Sequence, residues 1–170
     1  MANTYVLISS NTLTSSASSV TFSSIPSTYT DLVLKCSTRL DSGAIATALY
    51  LSFNSVSANY SLTRLQGNGS AASSGRDSAQ SVWFGYASNG TGTGANTFSN
   101  VEWYLPNYAG SNAKVASLII AAEDNNTTAY TNAEALLNSS TAAITSLTLS
   151  SASSNFVSGS SFYLYGIKNS

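Results

Sequence analysis

The chain has 170 residues, of which 43% are hydrophobic, and a net charge of −1. A chain of this length buries about 70% of the surface it would expose unfolded, so it needs neither disulfides nor a metal to hold together. Charged residues are only 8% of the total, and the six cations are scattered, which argues against nucleic acid or an anionic membrane as a partner.

The predicted elements run at period two from the start. "TYVLIS" opens the chain and "SSVTFSSI" follows a Ser/Thr/Asn-rich turn, with Val20 and Phe22 on one side. Ile25-Pro26 then breaks the chain, and Tyr29 is expected to bury its ring and tie this corner through its hydroxyl. Asp31 to Leu40 alternates, with Leu32, Leu34, Cys36 and Leu40 facing one way and Val33, Lys35, Ser37 and Arg39 the other. In "TALYLSFN", Leu49, Leu51 and Phe53 face in. Further strands are expected at 60–66, 80–86, 97–105, 114–122, 143–151 and 161–168.

Turn-forming residues separate these runs, and "SNGTGTGAN" (88–96) reads as the most mobile loop. "NAEALLNSS" (132–140) is the only candidate for a short helix. Pro26 and Pro106 fall at strand ends, where the missing N–H costs no ladder bond. About ten short strands with frequent turns predict an all-β fold, an antiparallel β-sandwich wound like a jelly roll. A single domain over 1–170 is expected.

The polar residues are unusual. There are 35 Ser, 18 Thr and 16 Asn, so most of the surface is polar without being charged. Such a surface suits docking against other proteins, because few charges must be stripped of water. Met1-Ala2-Asn3-Thr4 has no basic stretch and "YVLI" is short, so no secretory signal is expected. No apolar run approaches the length of a membrane span. The lone Cys36 is read as a buried hydrophobe.

The chain contains no His, which removes the usual nucleophile–base pairs, His-based metal sites and the common neutral-pH base. Glu102, between Val101 and Trp103, reads as an exposed strand position, and Glu123-Asp124-Asn125-Asn126 as an acidic turn, although it offers oxygen ligands for Ca²⁺. The chain is therefore read as not an enzyme, with no cofactor, no metal and no catalytic residue. Consecutive aromatics on a strand point to opposite faces, so one member of each pair is expected at an interface or in a second packed sheet, with glycan stacking as the alternative. Trp83, Trp103, Tyr104, Tyr108, Tyr163 and Tyr165 are the candidates, with Lys35 and Arg39 as charged contacts.

The segments "YVLIS", "SSVTFSSIPSTYTDLVLKCSTR", "LYLSFN", "NYSLTRLQGNGS" and "SFYLYGIKNS" together resemble a group of small tailed-phage structural proteins, common among phages of aquatic bacteria. The resemblance runs from Tyr5 to Lys168 and rests on core and turn positions. It implies a virion protein made in the host bacterial cytoplasm. The form expected is a capsid decoration (cement) protein that associates with itself as a homotrimer and with the major capsid protein or other virion proteins. The alternative it implies is a head-fibre or tail-fibre module that binds a host receptor or surface glycan.

Overall fold

A computed structural model describes residues 4–124 and 127–168. Its elements are twelve strands: β1 (Tyr5–Thr12), β2 (Ser19–Phe22), β3 (Asp31–Thr38), β4 (Thr47–Phe53), β5 (Tyr60–Gly67), β6 (Ala72–Gln80), β7 (Trp83–Ser88), β8 (Ser99–Pro106), β9 (Lys114–Glu123), β10 (Ala129–Asn138), β11 (Leu147–Ser151) and β12 (Ser161–Ile167). They form an eight-stranded sheet, β1-β12-β3-β8-β9-β10-β5-β6, and a four-stranded sheet, β2-β11-β4-β7. Every pairing of neighbours is antiparallel, and the protein is an all-β sandwich. From β2 to β5 each strand lies in the sheet opposite its predecessor, which is the winding of a jelly roll, and β8–β9–β10 inserts as a meander into the large sheet.

One core lies between the sheets. The alternation of β3 buries Leu32, Leu34 and Cys36, and that of β4 buries Leu49, Leu51 and Phe53. Burial pushes the Cys36 thiol well above its ordinary range, so it stays an inert thiol. Trp83 closes the core with Phe53 and Tyr60, their ring centroids 5.4–5.5 Å apart, and its Nε1 donates to the Leu137 carbonyl at 3.1 Å.

Residues 132–140 do not form the expected helix. Ala129–Asn138 is strand β10, with Asn132, Glu134, Leu136 and Asn138 turned inward. Ala, Glu and Leu favour a helix in isolation, but two flanking strands supply a full ladder of hydrogen bonds and override that preference. β6 was not expected at all, because "ASSGRDSAQ" has no apolar alternation; it is an edge strand. The 88–96 loop is tied down rather than loose. Thr91 donates its backbone N–H to the Ser42 carbonyl at 2.6 Å, and Arg39 Nη1 donates to the Gly94 carbonyl at 2.7 Å.

The corner at Pro26 is held by a different tyrosine from the one expected. The Tyr108 hydroxyl donates to the Pro26 carbonyl, while the Tyr29 ring lies flat over Gly166. A Cβ at 166 would stand 2.3 Å from Tyr29 Cγ, so only glycine fits there. Asp31 begins β3 and anchors the far end of β8: Oδ2 accepts from the Tyr104 hydroxyl at 2.7 Å, and Oδ1 from the Asn107 backbone N–H at 2.9 Å. Replacing this buried carboxylate, Asp31→Ala, strips both bonds and is expected to cost about 2–4 kcal/mol in a denaturant titration.

Candidate functional site

The register of the large sheet sets its inner face in rows. One row runs Leu164–Leu34–Trp103–Leu118–Glu134–Arg64–Gly75, and the next runs Phe162–Cys36–Val101–Ile120–Asn132–Gln66–Ser73. Both rows change from apolar to polar at β10. On the β12 side the small sheet covers an oily floor. On the β6 side the same inner face carries a carboxyl, two amides and a guanidinium.

Asn132 and Glu134 are 1% and 4% exposed. Neither the Asn132 amide nor either Glu134 carboxyl oxygen has a hydrogen-bond partner among the described residues. A buried polar group without a partner carries a penalty of about 1–3 kcal/mol, so two of them side by side mark a place where stability has been sacrificed. Strand β7 crosses directly above: a Cβ on Gly85 would stand 2.4 Å from Leu118 Cδ2 and 3.0 Å from Glu134 Oε1. Glycine at 85 is what lets the small sheet close over this row.

Burial pushes the Glu134 carboxyl up to about 8; the positive charge of Arg64 opposes the rise and the negative charge of Asp77 adds to it. Arg64 lies against Gly75, pairs through Nη1 with Asp77 Oδ2, and sits 5.8 Å from the ring centre of Tyr86. The Arg64 and Asp77 side chains are 26% and 30% exposed, so this end of the row reaches solvent.

At the other end of the wing, an open groove of about 520 Å³ is lined by Phe98, Asn100, Ala122, Glu123, Tyr130 and Thr131, among others. Ala122 and Tyr130 are register partners, one inner pair beyond Ile120 and Asn132. Asn100, Ala121, Glu123, Ala129 and Thr131 alternate with the buried positions, so most of the groove lies on the outer face of the sheet, across the backbone from Asn132 and Glu134. Together the groups of the polar wing can hold a small polar ligand. An amide offers both donor and acceptor. A carboxyl donates while protonated and becomes a base when it ionises, and a guanidinium supplies positive charge.

The residues singled out in the sequence are dispersed. Trp83, Trp103 and Tyr108 are 0% exposed and belong to the core. Tyr163 and Tyr165 lie on the outer face of the large sheet, as does Tyr104, whose hydroxyl is occupied by Asp31 and pushed up to about 12 by it. Lys35 pairs with Glu102 on that face at 2.9 Å, which raises the lysine. Arg39 instead holds the 94–97 segment through the carbonyls of Gly94 and Thr97. Asn125 and Asn126 of the acidic turn lie outside the described residues. Glu134, Asn132 and Arg64 were missed because the segment carrying the first two was read as a helix. Their signal was the spacing Asn132, Glu134, Leu136, separated by Ala133 and Ala135, which on a strand puts all three on one face.

A family model described as the citrate lyase ligase C-terminal domain matches residues 93–170, less than half of the chain. No curated protein and no solved structure matches significantly. The matched segment holds β8 to β12, with Asn132, Glu134 and most of the groove, whereas Arg64 and Asp77 lie before it. Its strands pair with strands outside it, so it is not a separable unit of this fold.

The match corrects the functional reading of the sequence. A similarity to a family associated with enzymes replaces the phage virion resemblance, and with it the capsid decoration or cement role and the head-fibre or tail-fibre alternative. It likewise overturns the reading of the chain as not an enzyme. That reading rested on the missing histidine. A buried carboxyl that titrates near 8 supplies a proton-exchanging group in the same pH range, and composition alone does not reveal it.

Proposed function

We propose that this chain is the ligand-holding part of an enzyme, and that its polar wing takes a small carboxylic acid, with Asn132, Glu134 and Arg64 receiving the carboxylate. The observation that carries the reading is the pair of unpartnered, buried polar side chains, Asn132 and Glu134, on an inner face whose β6 end reaches solvent at Arg64 and Asp77. The similarity of residues 93–170 to the citrate lyase ligase C-terminal domain supports it, since that segment contains both side chains. In this reading protonated Glu134 donates to the bound carboxylate, Asn132 donates through Nδ2, and Arg64 exchanges part of its pairing with Asp77 for the ligand's charge.

The test is isothermal titration calorimetry with citrate and with acetate. Heat of binding is expected for the intact chain, weakening as pH rises through about 8, because ionised Glu134 repels a carboxylate. Glu134→Leu should abolish the heat without lowering thermal stability, since it replaces an unpartnered polar group by an apolar one in the core. Absence of heat with both acids, or unchanged binding by Glu134→Leu, contradicts the reading.

A further inference from the structure

The large sheet buries only one of its faces against the small sheet, and its outer face carries most of the exposed large apolar side chains: Tyr5, Leu7, Leu65, Ile119, Leu137 and Val115. This face has an internal symmetry of composition. At its middle, on neighbouring strands β3 and β8, stand Lys35 and Glu102, joined as a salt bridge and still 51% and 44% exposed. On one side of them lie β12 and β1, with tyrosines and Leu7; on the other lie β9 and β10, with aliphatic side chains.

We propose that this outer face binds a second copy of this chain face to face, about a two-fold axis that runs along the strands between β3 and β8. Such an axis exchanges the two flanks and keeps each register row in place. Lys35 of one copy then faces Glu102 of the other. Tyr163 shares their row with Ile119, and the axis sets one over the other. In the rows on one side Leu7 meets Ala135 and Tyr5 meets Leu137, while the groove of about 320 Å³ beside Val115 and Leu137 gives the Tyr5 ring a seat.

The charge pattern is complementary only under this pairing. A shifted or rotated stack sets the Lys35–Glu102 pair against apolar flanks, so the pair loses its water and gains no charge from the other copy in return. The area also suffices. Six strands about 4.8 Å apart and about eight residues long, at about 3.3 Å each, cover about 750 Å² per copy. A stable association of standard size buries about 800 Å² per partner. Face-to-face sheets about 10 Å apart are an ordinary packing solution, with the outer face of each copy becoming the inside of a four-layer particle.

The test is analytical ultracentrifugation of the full chain and its variants at micromolar concentration. The intact chain is expected at twice its 17.6 kDa mass. Lys35→Glu alone, and Glu102→Lys alone, place like charges opposite each other and should weaken association by about tenfold or more. The double exchange, Lys35→Glu with Glu102→Lys, should restore it. Circular dichroism checks that these exposed positions leave the fold intact. A monomer or a trimer for the intact chain overturns the proposal, and so does a double exchange that associates no better than the single variants.

Discussion

Glu134→Gln is expected to stabilise the protein at about pH 8 and to leave it nearly unchanged at about pH 5. The sign follows from linkage. The folded state holds the Glu134 proton up to about 8, while an ordinary glutamate releases it near 4.5. Across that window the unfolded chain carries the charge more easily than the folded one, so stability falls as pH rises through it and levels off above the folded value. At about 1.4 kcal/mol per unit, the loss is on the order of 5 kcal/mol. The neutral amide of glutamine fills the same space, titrates nowhere, and removes this slope. Calorimetric melting of both proteins from about pH 5 to 9 reads the difference directly, and a gain on the order of 10 °C is expected at the alkaline end. Parallel curves contradict a buried, proton-holding Glu134.

Trp83→Ala is expected to cost about 3–5 kcal/mol, the largest loss from a single truncation in the core. The indole is 0% exposed and touches two rings, Phe53 and Tyr60, from different strands. It also hydrogen-bonds the Leu137 carbonyl in the opposite sheet, so it joins the two layers. Its removal leaves a cavity that two rigid sheets cannot collapse to fill, and strands a carbonyl inside it. Chemical denaturation should show a lower midpoint with an unchanged slope. A loss below about 1 kcal/mol contradicts its place between the layers.

How much of this was legible beforehand depended on whether one face of a strand was apolar. In β3 the alternation of Leu32, Leu34 and Cys36 with Lys35 announces both the strand and its buried side. In β9, "KVASLIIAA" announces the strand but not its buried side, since Val115 and Ile119 face out while Lys114 is buried. β6 offers no such contrast, since small polar residues occupy both of its faces at the edge of the sheet. In β10 the contrast is inverted. Asn132 and Glu134 face the interior while Ala133 and Leu137 face out, so the usual rule that polar residues point to water assigns them the wrong way round.

That inversion is also why the candidate site was hidden. A sequence reads as consistent where each local preference agrees with the fold, and sites that hold ligands break that agreement. Lys114 shows the same limit in a structural setting. Read only as one of six scattered cations, it is 2% exposed, with Nζ donating to the carbonyls of Gly110 and Asn112 at 2.5 and 2.8 Å, and burial lowers its proton affinity. Arg39, read as a contact on an outer face, instead fastens a loop through two carbonyls. In each case the long side chain travels to its partner, and strand parity describes only where it starts.

The proton on Glu134 is the point on which the functional account turns, and ¹³C nuclear magnetic resonance of the labelled carboxyl measures it without perturbing the site. The account predicts a single titration centred at about 8 that moves to higher pH when citrate is added, because a bound carboxylate favours the protonated form. A carboxyl that titrates in the ordinary range near 4.5, or one whose titration citrate leaves unmoved, contradicts it.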